Sequence, residues 1–295
     1  MPISTRQRLA DAAIARTLKQ APAARNEYAV ESVRTLMRDG AVLAGDHFIP
    51  DTDKPRGTVL IRTPYGRDVL TAASTGSAFA ARGYHVLLQS VRGTYGSDGA
   101  FEPMVREADD GLDTVAWLRE QPWFDGRLAT LGHSYLGWTQ WTLMQDPPPE
   151  LRAALVYVGP HDFRESIFGT GAFALGDYLG WSDEVARQED GGILRKYWNI
   201  FSGRWRLRPA RTGLPLAESA GPALDERAPW YRAWLSHPDG GDEFWNPYRA
   251  GEALRRANVP VLLVGGWQDV FLEQTLEQYE ALRARDVPVA LTVGP

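Results

Sequence analysis

The stretch Leu128-Ala129-Thr130-Leu131-Gly132-His133-Ser134-Tyr135-Leu136-Gly137-Trp138 constrains this chain more than any other. A short apolar run ends in a glycine-bracketed serine, and a helical pattern over 138–145 follows at once. Strand, tight turn and helix with a serine at the apex describe a nucleophile elbow. Such a turn demands small residues, because its backbone is strained and passes close to its neighbours. It lifts the serine hydroxyl above the strand end and aims the partial positive charge of a helix N-terminus at the same spot. The second glycine stands three residues after Ser134, so the motif reads G-x-S-Y-x-G. An ordinary strand-to-helix turn of any α/β protein can look the same, so the serine must be judged by its partners.

The rest of the chain alternates in a way that suits this turn. Strand patterns over 31–37 and 42–49 flank Arg38-Asp39-Gly40, a hairpin signal. Thr58-Val59-Leu60-Ile61 reads as a buried strand running into the turn-rich loop Arg62-Thr63-Pro64-Tyr65-Gly66-Arg67. A helical period over 71–82 precedes the strand Tyr84-His85-Val86-Leu87-Leu88. After the loop 92–99 come a helix over 107–120, the strand before Ser134 and the strand Ala153-Ala154-Leu155-Val156-Tyr157-Val158. Strands separated by helices at this spacing imply βαβ units and a mostly parallel sheet with an antiparallel edge. Right-handed crossovers place the loops 62–67, 92–99, 133–135 and 159–163 at carboxyl ends of strands, where open α/β sheets put their sites.

Between 160 and 250 the alternation stops in favour of helical, turn-rich sequence holding Trp181, Trp198, Trp205, Trp230, Trp234 and Trp245. This segment is read as a helical cap inserted into the α/β core, with the tryptophans forming its interior. Alternation resumes with Val259-Pro260-Val261-Leu262-Leu263-Val264-Gly265-Gly266, a helix over 273–285 and a last apolar run over 287–293. The expected division is an N-terminal helical extension over 1–26, a first core part over 27–159, the cap over 160–250 and a second, incomplete core part over 251–295.

Composition narrows the function. A chain of 295 residues that is 44% hydrophobic can bury a full core. A net charge of −5 without a basic stripe argues against nucleic acid as a partner. The absence of cysteine rules out disulfides, thiolate chemistry and Cys-type metal sites. No H-E-x-x-H-like pair suggests a metal, and no cofactor motif is present. No apolar run approaches a membrane span, and residues 1–26 lack a signal-peptide apolar region, so a soluble cytoplasmic protein without membrane contact is expected.

A serine needs a base, and the base an orienting acid. In the hydrolase fold these follow in the order Ser, acid, His. Asp269 suits the acid, because Gly265-Gly266-Trp267-Gln268-Asp269 lies just past a buried strand; an N-cap for the following helix is the other reading. The histidines are His47, His85, His133, His161 and His237, and none follows Asp269. His133, next to the serine, should point away from it. His47 and His85 read as structural, His237 lies by a turn of the cap, and His161 stands at a strand end that can face the site. The final run reads as a core strand followed by Gly294-Pro295, and the next loop is where a catalytic histidine is expected. The chain is therefore read as stopping short of its base.

Several separate blocks make the chain resemble the cocaine-esterase-like (CocE/NonD) serine hydrolases, a family shared with X-Pro dipeptidyl-peptidases and α-amino acid ester hydrolases. They are Met37-Arg38-Asp39-Gly40, Arg62-Thr63-Pro64-Tyr65, Val91-Arg92-Gly93 with Tyr95-Gly96-Ser97-Asp98-Gly99, the stretch 132–137, His237-Pro238 with Phe244-Trp245, and Gly265-Gly266-Trp267 with Asp269. The resemblance implies an α/β-hydrolase fold, Ser134 as acyl-accepting nucleophile, Asp269 as triad acid, and an oxyanion hole made by the Tyr65 hydroxyl and the Tyr135 backbone N–H. It also implies a C-terminal jelly-roll domain, of which this sequence contains nothing. Ser90 stands where many relatives carry an aspartate.

The leading expectation is therefore a serine hydrolase of small ester, amide or short peptide substrates acting through an acyl-enzyme. A dipeptidyl-peptidase needs a carboxylate for the substrate amine, with Asp162, Glu165, Asp177, Asp183, Glu184, Asp239 and Asp242 as candidates. The alternative, favoured by the missing histidine, is a non-catalytic hydrolase-fold binding protein.

Overall fold

The computed structural model describes residues 26–68, 72–191, 193–224 and 226–295, with positions 9, 11–13, 16 and 17. The helix expected over 5–20 lies for the most part outside the described residues. The chain divides into two compact units, one of residues 1–161 with 250–295, the other of residues 162–249.

The first unit is built on strands β1 (Tyr28–Leu36), β2 (Val42–Pro50) and β3 (Thr58–Thr63), then a short helix α1 (Ser77–Ala80) and β4 (His85–Ser90). Helix α2 (Glu107–Arg119), β5 (Leu128–His133), α3 (Tyr135–Leu143) and β6 (Leu151–Tyr157) follow. The eight strands form one sheet in the order β1-β2-β4-β3-β5-β6-β7-β8, the last two defined below. β1 and β2 form an antiparallel hairpin, β2 meets β4 antiparallel, and every pair from β4 onward is parallel. All six residues of β3 and all six of β4 are buried, as strands covered on both faces must be. From β3 the chain moves outward to β4 and then crosses back to β5 on the other side of β3. This reversal puts the carboxyl ends of β3 and β5 side by side, the place where open α/β sheets form a crevice.

Two boundaries differ from the sequence reading. Arg62 and Thr63 belong to β3, where they pair with Gln89 and Ser90 of β4, instead of opening the loop. The helix expected over 71–82 is a single π turn, Ala72–Gly76, running into the four residues of α1.

The second unit is helical: α4 (Phe163–Phe168), α5 (Leu175–Arg187), α6 (Ile193–Arg206), α7 (Arg208–Thr212), α8 (Leu216–Leu224), α9 (Pro229–Ser236) and the 3₁₀ turn Glu243–Tyr248. Its core is aromatic, with Phe163 edge-on to Tyr178 and to Trp234, each at 5.2 Å between centroids. Trp230, Trp234 and Trp245 are buried as expected. Trp198 and Trp205 are not: they share one exposed face of α6 with Phe201, at helical spacing, and stand outside that core.

The chain re-enters the first unit through α10 (Glu252–Arg256), β7 (Val261–Gly266), α11 (Leu272–Arg283) and β8 (Val289–Gly294). No helix among the described residues is long and apolar enough to cross a membrane.

The first unit's four histidines, His47, His85, His133 and His161, are all lowered by burial and make its stability depend on pH. His47 Nε2 lies 2.9 Å from His85 Nδ1, and the His47 ring stacks on Trp123 at 3.9 Å. Burial pushes His47 down to about 3 and His161 down to about 4, and lowers His85 too. The fold binds these imidazoles neutral, so between about pH 6.5 and the depressed values the unfolded chain takes up protons that the native state refuses. Each such histidine subtracts up to ~1.4 kcal/mol per pH unit below about 6.5, and nothing above it. Urea unfolding at pH 7.5 and pH 5 should show a lower midpoint at pH 5, with a smaller difference in His161→Gln; equal pH dependence in both proteins would refute the assignment.

Candidate active site

Ser134 closes β5 and opens α3, with φ 55° and ψ −122°, a conformation that L-residues adopt only under constraint. Its backbone is held from both sides. Ser134 N–H donates to Tyr157 O of β6 at 2.9 Å, and its carbonyl accepts from Gly137 N–H at 2.8 Å. The glycines are required by contact. A Cβ on Gly132 would lie 2.2 Å from Leu136 Cβ, and one on Gly137 would lie 2.6 Å from Gly159 Cα. The extra residue in the motif is Tyr135, whose buried side chain turns inward while Gly137 meets the backbone beyond β6.

Tyr65 stands two residues past the end of β3, with its N–H donating to Thr63 Oγ1 at 3.0 Å. Because β3 and β5 are neighbours, its hydroxyl comes to 3.5 Å from Ser134 Oγ. The Tyr65 ring lies parallel to His133 at 6.2 Å and edge-on to Tyr135 at 6.5 Å. Thus His133 packs against Tyr65, with its pKa lowered by burial. Next to this loop, Arg67 Nη1 donates to Ser90 Oγ, and Arg67 Nε lies 3.2 Å from Asp46 Oδ2.

Asp269 follows β7, two strands from β5 on the same carboxyl edge, which at ~4.8 Å per strand sets the two strand ends about 10 Å apart. Its Oδ1 accepts from Phe271 N–H at 2.8 Å, so the carboxylate closes a short turn ahead of α11 without capping it. Among the described residues nothing hydrogen-bonds Oδ2. Burial pushes the carboxyl above its usual range, and the Phe271 N–H pulls it back. β8 runs beside this turn, with Trp267 N–H donating to Gly294 O at 2.9 Å.

Among the described residues no histidine is hydrogen-bonded to Ser134 Oγ. His161 Nδ1 lies 3.2 Å from Gln278 Nε2 and its Nε2 3.6 Å from Glu277, both on α11. In the second unit, His237 Nδ1 lies 2.7 Å from Ala233 O and its ring stacks on Phe244. The carboxylates singled out there have mostly local duties. Asp162 caps α4 through Glu165 N–H, Glu165 pairs with Arg164, and Asp183 pairs with Arg187 and Arg206. Asp239 and Asp242 accept from Gly241 N–H and Phe244 N–H. Asp177 and Glu184 lie on α5 with no ion pair among the described residues. No group of three or more His, Asp or Glu among the described residues is placed to hold a metal.

The sequence reading missed a buried polar chain that reaches the Tyr135 hydroxyl. Arg62, Gln89, Glu107, Asp110 and Thr114 are all at most 3% exposed, and Glu107 accepts from the Tyr135 hydroxyl at 2.7 Å. The usable signal is an arginine directly after the apolar run Val59-Leu60-Ile61, with carboxylates at i and i+3 at the start of α2.

The profile of the X-Pro dipeptidyl-peptidase (S15) family matches residues 39–295. The chain belongs to this family. A curated relative, cocaine esterase of Rhodococcus sp. (strain MB1 Bresler), is 34% identical over 286 residues, covering 91% of this chain and 49% of the relative. The chain thus spans about half the length of that protein. A putative serine esterase of Mycobacterium bovis is 28% identical over 152 residues, 51% of this chain and 24% of its own. Among solved structures, an α-amino acid ester hydrolase superposes with a TM-score of 0.68 at 25% identity, covering 93% of this chain and 49% of that one. A CocE/NonD family hydrolase from Staphylococcus aureus gives a TM-score of 0.66 at 24% identity, covering 91% and 46%. The S15 chain accordingly has the α/β-hydrolase fold.

The glycine contacts are directly testable in this S15 chain. Gly137→Ala should cost about 1–3 kcal/mol in urea unfolding, because neither backbone in that contact can retreat. Gly180→Ala, in α5 with open space around its Cβ, should be neutral or stabilising by up to ~1 kcal/mol. Equal stability of the two variants would disprove the contact.

Proposed function

We propose that the chain is the catalytic α/β part of a serine hydrolase that cleaves small ester or amide substrates, short peptides included, through an acyl-enzyme on Ser134. The observation that carries this reading is the Tyr65 hydroxyl 3.5 Å from Ser134 Oγ, at the apex of a strained turn. A hydroxyl beside a nucleophile is not a base, but it is a suitable donor for the oxyanion that forms when that nucleophile attacks a carbonyl.

In this mechanism Ser134 Oγ attacks the substrate carbonyl carbon and its proton passes to an imidazole. The carbonyl oxygen becomes an oxyanion between the Tyr65 hydroxyl and the Tyr135 N–H at the start of α3, where the helix dipole adds to the donors. Collapse expels the alcohol or amine, protonated by the imidazolium, and leaves Ser134 acylated; water then repeats the sequence and releases the acid. Asp269 is the acid that orients the imidazole and offsets its charge. Its Oδ1 is occupied by Phe271 while Oδ2 remains open, and a partly desolvated carboxylate favours a cationic partner. The Trp267 N–H bond to Gly294 O keeps the carboxyl end of β8 beside the Asp269 turn.

The other reading, a binding protein on the same fold, draws on the lack of a histidine bonded to Ser134 among the described residues. The two separate on labelling of the natural gene product with a fluorophosphonate. Labelling should be abolished in Ser134→Ala, and Tyr65→Phe should lower kcat on a p-nitrophenyl ester by about 10²–10³, with a smaller change in KM. A natural gene product that neither labels nor turns over would establish the binding reading; labelling that survives Ser134→Ala would place the nucleophile elsewhere.

A further inference from the structure

The two groups assigned to the oxyanion come from different parts of the chain, Tyr65 after β3 and Tyr135 after β5, and a donor pair works only if its spacing is fixed before the charge forms. Both lead to one buried carboxylate. Glu107, the first residue of α2, is 2% exposed. On one side its Oε1 accepts from the Tyr135 hydroxyl at 2.7 Å. On the other its Oε2 lies 2.8 Å from Arg62 Nη1, which also donates to the Glu107 carbonyl at 3.0 Å. Arg62 stands three residues before Tyr65 on the same strand end. Resting on the serine-hydrolase reading, we propose that Glu107 is a positioning residue that holds the Tyr65 hydroxyl and the Tyr135 N–H at one spacing, through Arg62 and the Tyr135 side chain.

The surroundings leave little slack in this link. Arg62 Nε donates to Gln89 Oε1 of β4 at 2.9 Å, and Thr114 Oγ1 of α2 donates to the same oxygen at 3.1 Å. Asp110, one turn along α2, is bound by Arg92 Nη2 at 2.6 Å. The loop before α2 is gripped as well: Met104 N–H donates to the Tyr135 hydroxyl at 3.0 Å, and Met104 O accepts from Trp138 Nε1 at 3.1 Å. From Arg62 to Tyr65 the backbone is stiffened by Pro64 and by the Tyr65 N–H bond to Thr63. Stability alone does not call for such a chain, since well-packed apolar side chains commonly replace a buried ion pair at no loss. What an apolar core lacks is direction, and direction is what two donors aimed at one oxygen require. Burial keeps the Tyr135 hydroxyl well above its usual pKa, so it remains a donor to Glu107 at any working pH.

The test uses the natural gene product with Glu107→Gln, Tyr135→Phe, the double variant and Ser134→Ala, on a p-nitrophenyl ester and against a boronic acid. The boronate adds to the serine oxygen as a tetrahedral anion and so depends on both donors. Positioning predicts kcat lowered about ten- to a hundredfold in each single variant, KM within about threefold, and boronate Ki raised in step with the fall in kcat/KM. The double variant should be no worse than the poorer single one, because both break one link. Wild-type kcat and boronate Ki in folded Glu107→Gln or Tyr135→Phe would overturn the proposal while leaving the enzyme reading intact. So would a loss of activity that only follows the fraction of folded protein, with native Ki. Should Glu107→Gln fail to fold, Tyr135→Phe decides, since it removes one oxygen and leaves the Arg62–Glu107 pair. Full activity in Ser134→Ala would instead overturn the serine-hydrolase reading itself.

Discussion

A serine at φ 55° and ψ −122° costs about 1–3 kcal/mol of backbone strain, and such a residue persists only where its surroundings over-determine it. Around Ser134 they do so from several directions. Its N–H is taken by β6, its carbonyl by the first turn of α3, and the approach of that helix is limited by Gly132 against Leu136 and Gly137 against Gly159. The turn therefore depends on β5 lying beside β6 in register, and on α3 packing Trp138 and Trp141 fully into the core. The strain is maintained by the sheet and is not a local property of the loop.

The order of strands explains why these loops meet. Tyr65 and Ser134 are 69 residues apart, yet they become neighbours because the chain crosses back from β4 past β3 and lays β5 on its far side. Once that crossover is made, the strand after β6 must also lie on the far side, which brings Asp269 to the same edge. Thr58, Val59 and Leu60 pair with Leu128, Ala129 and Thr130, and this register sets the height at which the Tyr65 hydroxyl arrives. A slip of one residue would turn Arg62 out of its buried place and take the tyrosine with it.

Those parts of the design that repeat with a period were legible in the sequence. The continuous apolar runs, the Asp-Gly hairpin and the glycine-bracketed serine each specify a local geometry, and the observed strands follow them closely. Arg62 was placed in a loop because an arginine in a buried strand contradicts composition rules; only the long-range partners Glu107 and Gln89 make it tolerable there. The run over 71–82 has helical spacing, yet the chain takes a π turn and one short helix there, so tertiary context overrides propensity. Trp198 and Trp205 were assigned to a core because tryptophan is usually buried, whereas periodicity alone cannot tell which face of an amphipathic helix finds a neighbour.

Asp269 and Glu107 show how two carboxyls are placed in contrasting surroundings. Burial raises the pKa of both carboxyls, but their partners differ. Glu107 has the Arg62 guanidinium 2.8 Å from one oxygen and accepts from the Tyr135 hydroxyl on the other, so both its charge partners lie inside the fold. Asp269 has one backbone N–H on one oxygen and leaves the other open at the edge of the sheet. A carboxylate already paired inside the fold holds geometry, whereas one with an open oxygen at the surface of the sheet gains free energy from an added cation. Two of the first unit's histidines are engaged elsewhere: His47 Nε2 lies 2.9 Å from His85 Nδ1, and His161 lies against Gln278 and Glu277 of α11.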